Sequence, residues 1–141
     1  MDVTICDARS AHLPQLEALE CACFSAPWTR AQLASQLPDD RHVFLIAAAG
    51  ETVLGYANFL HVLDEGDIGN VAVAPEYRRQ GVAAALLERA IDDARTQGRK
   101  GLVLTCKDKL VHYYAKFGFV SEGVSGSTHG SAVWYQMRLK F

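Results

Sequence analysis

Apolar and polar positions along the chain follow two periods, and the switches between them mark its elements. Residues 3–6 form a short β-branched run that predicts a first strand. Leu13, Leu16, Leu19 and Ala22 then recur at helical spacing to about Cys23, with Asp7 or Ser10 as the expected cap. The stretch Phe24-Ser25-Ala26-Pro27-Trp28 breaks that helix, and Thr29 caps a second one carrying Leu33 and Leu37 and stopped by Pro38. Residues 42–49 read as an apolar strand, Gly50-Glu51 as a tight turn, and residues 53–61 as the antiparallel partner. A turn over residues 63–67 leads into a strand at 68–73. From Val82 the period changes: Leu86, Leu87, Ala90, Ile91 and Ala94 share one helical face, and Glu88, Arg89, Asp92, Asp93 and Arg95 lie opposite. Gln97-Gly98 closes that helix. Residues 101–106 predict a buried strand, and residues 109–117 a short helix with Leu110, Tyr113, Tyr114 and Phe117 on one side, ended by Gly118. Residues 119–124 and 132–139 predict a closing antiparallel pair around the polar loop 125–131. Strand, crossover helix and second strand imply a right-handed parallel connection. With no repeat or linker, the pattern predicts one α/β domain with a mixed sheet spanning residues 1–141.

One stretch, residues 71–94, carries chemistry beyond packing. The V-A-V run ends at Pro75, two arginines follow, and the helix starts near Gln80–Gly81. The first N–H groups of a helix have no intrahelical partner, and the helix dipole makes that end electropositive. Gly81, without a Cβ, lets a ligand come close to the backbone. These features describe an anion site, most simply for phosphate; arginine and glycine placed there for solubility and turn geometry are the competing reading. Neither G-x-x-x-x-G-K-[ST] nor G-x-G-x-x-G is present.

Composition narrows the functions. A chain of 141 residues suits one domain with a real core. Its net charge of −2 argues against general binding to nucleic acid or to an anionic membrane. No apolar run reaches membrane-spanning length, and the opening M-D-V-T-I-C-D is no signal peptide. Cys6, Cys21, Cys23 and Cys106 fit no zinc spacing, so the expectation is a cytosolic protein with reduced cysteines and no metal.

Arg78-Arg79-Gln80-Gly81-Val82-Ala83 matches the pattern R/Q-x-x-G-x-G/A, with V-A-V and P-E-Y before it and Tyr-x-x-x-Gly-Phe at Tyr114–Phe119 after it. In these motifs and in the order of its elements the chain resembles the GNAT superfamily of N-acetyltransferases. The resemblance implies the acyl-CoA N-acyltransferase fold and acetyl-CoA as co-substrate, with direct attack by a primary amine, either a small molecule or a protein N-terminus. It implies that Val71, Ala72 and Val73 hold the pantetheine arm by strand-like hydrogen bonds, and that the loop Arg78, Arg79, Gln80, Gly81, Val82, Ala83 and Ala84 takes the pyrophosphate. Tyr114 matches the acid that protonates the departing sulfur, with Tyr113 beside it, and Cys106 is read as a packed strand residue.

Two subfamily likenesses divide the chain. F-S-A-P-W-T, V-L-D-E-G and N-V-A-V-A-P-E-Y-R-R-Q-G resemble acetyltransferases of ribosomal-protein alanine, whereas L-T-C-K-D-K-L-V-H-Y-Y-A-K-F-G-F and S-T-H-G resemble arylalkylamine-type enzymes. The ribosomal type carries a glutamate where this chain has Thr105, so the base that accepts the amine proton is sought among Glu65, Asp67 and His129. Residues 24–29, 63–67 and 125–131 would wall the acceptor. The resemblance also leaves open a homodimer paired through the C-terminal strands. A weakened CoA-binding sensor or partner-binding module is the alternative function.

Overall fold

The computed structural model describes residues 2–125 and 133–141. Strand β1 (Thr4–Asp7) leads through a single 3-10 turn into helix α1 (Leu13–Cys23), and a short link leads to α2 (Arg30–Ala34). The hairpin β2 (His42–Ala49) and β3 (Thr52–Val62) is followed by β4 (Glu65–Val73), helix α3 (Val82–Thr96), β5 (Gly101–Lys107), α4 (Val111–Ala115), β6 (Val120–Val124) and β7 (Trp134–Lys140). The strands form one mixed sheet in the order β1-β2-β3-β4-β5-β7-β6. Only β4 and β5 run parallel, joined across α3 as the sequence pattern requires. No helix among the described residues is long and apolar enough to cross a membrane.

Local chemistry explains the boundaries. Thr29 caps α2 by accepting from the Gln32 N–H while Gln32 reaches back to the Thr29 N–H, a reciprocal capping box. Helix α3 ends in paired bonds, Gly98 N–H to Arg95 and Arg99 N–H to Ala94, with Gly98 at φ +78°. The start of α1 differs from expectation. Neither Asp7 nor Ser10 caps it: Asp7 is the last residue of β1, and the His12 ring accepts from the Arg9 N–H instead.

Both faces of the sheet are packed, by different helices. Helix α3 lays Val82, Leu86, Leu87, Ala90, Ile91 and Ala94 against one face, where Leu102, Leu104, Cys106 and Met137 also lie. On the other face Leu16, Leu19 and Leu33 of α1 and α2 cover Phe44, Ile46, Tyr56 and Ala72. Alternation then assigns the rest. On β5 and β7, Val103, Thr105, Lys107, Gln136 and Arg138 take the side opposite α3, where α1 and α2 do not reach.

The largest correction concerns residues 63–67. The turn is only Leu63-Asp64, with Val62 opposite Glu65, so Glu65 and Asp67 are strand residues of β4 and not turn residues. Leu63 holds φ +55° there, braced by Arg99 on its carbonyl and by the Lys100 N–H on that of Asp64. The loop that holds His129 lies outside the described residues.

Gly55 ties this frame to β4. A Cβ on it would meet the Ala72 carbonyl oxygen at 2.5 Å and the Val73 Cα at 3.2 Å, both backbone. Gly55→Ala should therefore lower stability by about 1–3 kcal/mol through overpacking, read as a lower urea midpoint. An unchanged midpoint would mean that β4 can move away from β3 freely.

Candidate active site

Strands β4 and β5 pair over only three residues, Glu65 with Gly101, Gly66 with Leu102 and Asp67 with Val103, and then part. Strand β3 stays paired with β4 up to Val73. The Asn70 N–H bonds the Asn58 side chain on the β3 side, and the Ala74 N–H bonds the Leu54 carbonyl. Successive residues of a strand turn their amides to opposite edges, so Val71 and Val73 direct theirs into the gap between β4 and β5. The Val71 backbone and the Val73 N–H thus line one wall of a cleft, with the Val73 carbonyl already taken by Arg78 and Cys23.

The cleft ends on the start of α3. Gly81 is its N-cap, at φ +82°, and contributes no side-chain cap. Arg79 also sits in the left-handed region, at φ +63°. No described residue accepts from the N–H groups of residues 79–84, and the first intrahelical bond is Ala85 to Gly81. Six amides at the positive end of a 15-residue helix remain for an anion. Arg78 turns inward, its Nε donating to the Val73 carbonyl at 3.0 Å and its Nη2 lying 3.6 Å from the Cys23 sulfur.

These walls enclose a cavity of about 430 Å³ lined by Val71, Val73, Arg78, Arg79, Gly81, Val82, Ala83 and Ala84 from the strand and loop. Tyr77, Leu110, Tyr113 and Tyr114 complete it. Aromatic contacts set the rotamer of Tyr114: Tyr113 stands edge-on at 5.2 Å and Phe119 at 6.1 Å. Burial, with the Tyr113 and Cys106 groups nearby, pushes the Tyr114 hydroxyl up to about 12, so it keeps its proton at neutral pH. Cys106 is buried, packed 3.6 Å from the Met137 sulfur.

Of the sequence-predicted cofactor residues, Ala72 and Gln80 do not line the cavity. Ala72 points its side chain into the core under α1, and Gln80 reaches the Glu76 carbonyl. Glu65 and Asp67 are not brought to Tyr114 either. Both lie on the face opposite α3, and their environments differ. Arg138 donates to Glu65 and, at 2.9 Å, to Glu122, so Glu65 belongs to a charge network on β4, β6 and β7. Asp67, at the last pair before the strands part, has no hydrogen-bond or ion-pair partner among the described residues, and partial burial pushes its carboxyl up. Thr105 is exposed on the same face, opposite Gln136.

Sequence reasoning missed a buried polar link beside the cleft. Glu20 of α1 is 1% exposed and accepts from the Trp28 N–H at 2.8 Å and from the Tyr56 hydroxyl. Its position, four residues after Leu16, puts a carboxylate in the apolar helical stripe, a signal that was present in the pattern. Cys23 donates to the Val73 carbonyl at 3.4 Å, which sets the start of the 24–28 link beside the cleft.

An open strand edge, an uncapped helix start and a protonated tyrosine in one cavity suit a long cofactor with a pyrophosphate. Comparison with known proteins identifies the family. The chain matches the profile of the Acetyltransferase (GNAT) family over residues 13–119. It is 33% identical over 119 residues, covering 82% of this chain and 80% of the relative, to the ribosomal protein bS18-alanine N-acetyltransferase of Escherichia coli strain K12. The crystal structure of the ribosomal-protein-S18-alanine N-acetyltransferase from Escherichia coli superposes with a TM-score of 0.87 at 27% identity, covering 99% of this chain and 94% of that one. The PaiA N-acetyltransferase of Thermoplasma acidophilum, solved in complex with coenzyme A, shares the fold at 18% identity, with a TM-score of 0.77 over all of both chains. The GNAT resemblance read from the loop and from Tyr114 therefore holds for the chain as a whole, and this protein belongs to the GNAT family of N-acetyltransferases.

Proposed function

We propose that this enzyme moves an acetyl group from acetyl-CoA to the primary amine at the N-terminus of a polypeptide. The observation that carries the reading is the single cavity in which the open edge of β4, the free amides of the loop and Tyr114 converge. The Val71 and Val73 backbone would hold the pantetheine arm as an added strand. The amides of residues 79–84 would take the pyrophosphate. Acetyl-CoA, when bound, supplies the activated acetyl group, so the chain's own task is to position the reactants and to handle two protons.

Tyr114 Oη is the acid. Like any phenol it is protonated at neutral pH, and it lines the cavity in which the departing sulfur would lie. Asp67 is the base, acting through water on the ammonium of the peptide N-terminus, whose ordinary pKa is about 8. It is favoured over Glu65 because Arg138 already occupies Glu65, whereas the Asp67 carboxylate has no partner among the described residues where β4 and β5 separate. The peptide acceptor is favoured by the likeness to the alanine N-acetyltransferases over most of both chains. A cytosolic setting would suit the four cysteines, all of which are free.

Three measurements test this reading. Isothermal titration should find CoA binding in the wild type and none in Gly81→Glu, which forces a side chain into a left-handed position and places a carboxylate among the pyrophosphate donors. Retained affinity would refute the loop assignment. In pH–rate profiles, Tyr114→Phe should lower turnover about 10²–10⁴-fold at neutral pH, as loss of a general acid does. The Asp67 pKa is raised, so activity should fall in mildly acidic solution where an ordinary carboxylate is still charged, and Asp67→Asn should lose both rate and that acidic limb. An unaltered limb in Asp67→Asn would assign the base elsewhere. Against a panel of peptides and small amines, peptides with an N-terminal alanine should show the highest kcat/KM; preference for arylalkylamines or polyamines would overturn the acceptor class.

A further inference from the structure

Glu20 takes part in neither proton step. A buried carboxylate is costly unless its oxygens are bonded or a cation sits beside it. No cation pairs with it among the described residues, and both oxygens are used by donors on different elements. One donor is the backbone N–H of Trp28, at the end of the link between α1 and α2. The other is the hydroxyl of Tyr56 on β3, itself fully buried with its ring 5.1 Å from Phe44. Tyr56 stands opposite Ala72 of β4 in the sheet register. Asn70 sits where the β3–β4 register shifts, its N–H held by Asn58, and it immediately precedes Val71. Hydrogen bonds therefore run from the 24–28 link through Glu20 to Tyr56 of β3, the strand paired with the one that lines the cleft.

The link has few other anchors in its own backbone. Phe24 bonds Glu20 as the last turn of α1, and the next recorded backbone bond is Leu33 to Thr29 inside α2. Phe24 and Trp28 pack only partly against the core. Beside the Cys23 tether to Val73 at its start, Glu20 is the side chain that joins the far end of this segment, at Trp28, to the sheet.

We infer that Glu20 is the positioning residue of the acceptor site: it holds the 24–28 segment at a set distance from β4, so that the amine is presented to the acetyl group carried on Val71 and Val73. The inference rests on the transferase reading above. A carboxylate suits the position because it accepts from both donors at once. Glutamine keeps the shape and can still accept from Trp28, with the Tyr56 hydroxyl reversed to accept from its amide. Alanine leaves the Trp28 N–H and the Tyr56 hydroxyl unpaired in the interior.

The test is steady-state kinetics on the intact protein with a peptide acceptor, beside hydrogen exchange of residues 24–28. Glu20→Ala should raise the acceptor KM about tenfold or more, as misplaced reactants do, and leave the acetyl-CoA KM and CoA affinity unchanged. Glu20→Gln should restore most of the acceptor KM. Exchange at Trp28 should quicken in Glu20→Ala with no substrate present. Equal rises in both KM values, failure of glutamine to rescue, or unchanged exchange at Trp28 would overturn the inference. Should Glu20→Ala not fold, Tyr56→Phe removes one donor and keeps the carboxylate, and it should raise the acceptor KM alone; no change there would also overturn it. If the wild type acetylates no amine, the transferase reading falls, and exchange at Trp28 still decides whether Glu20 holds the segment.

Discussion

The structure depends on the hydrogen-bond accounting of β4. Backbone N–H and C=O groups away from water need partners, and β4 satisfies one edge with β3 along its whole length and the other with β5 for three residues only. The sheet is continuous because β5 goes on to pair with β7 over seven residues, so the two halves cannot close the gap without breaking that ladder. A parted edge held open by the remainder of the sheet is an unfilled strand position. Helix α3 starts at the far end of the same opening, and its uncapped amides extend the row of donors from a peptide-like ladder to an anion slot.

Charge on the other side of the sheet is arranged around that gap. Carboxylates of β4 two residues apart share a face and have opposite fates. Glu65 is neutralised by Arg138, which also binds Glu122 and holds that carboxyl below its usual range. Asp67 has no ion-pair partner among the described residues and is pushed the other way by burial. Tyr114, across the gap, is raised by burial as well.

Beneath the second face, the packing of α1 and α2 is tied by one buried carboxylate. Most of that core is aliphatic or aromatic and would tolerate small displacements of the helices. The bonds from Glu20 to Trp28 and Tyr56 are directional, so they define where the segment after α1 stands relative to β4. Cys23, donating to the Val73 carbonyl, adds a second short tether at the mouth of the cleft.

The sequence by itself determined the elements whose signals are local. The apolar stripe of α3, the N-cap glycine, the arginine loop and the spacing of Tyr114 from Gly118 could be read without coordinates, because helix periodicity and the lone amides of a helix start depend only on neighbours in the chain. Several assignments needed the tertiary structure. Glu65 and Asp67 read as turn residues because acidic and glycine-rich runs favour turns, yet pairing with β3 and β5 draws them into a strand and sets which one meets Arg138. Ala72 is expected to contribute only backbone, and the shift in register beside Asn58 decides that its side chain belongs to the core. Glu20 stands in the apolar stripe of α1, and the approach of β3 makes it a buried junction. Partners 36 residues away in the chain, as Tyr56 is from Glu20, are chosen by packing, which no local pattern encodes.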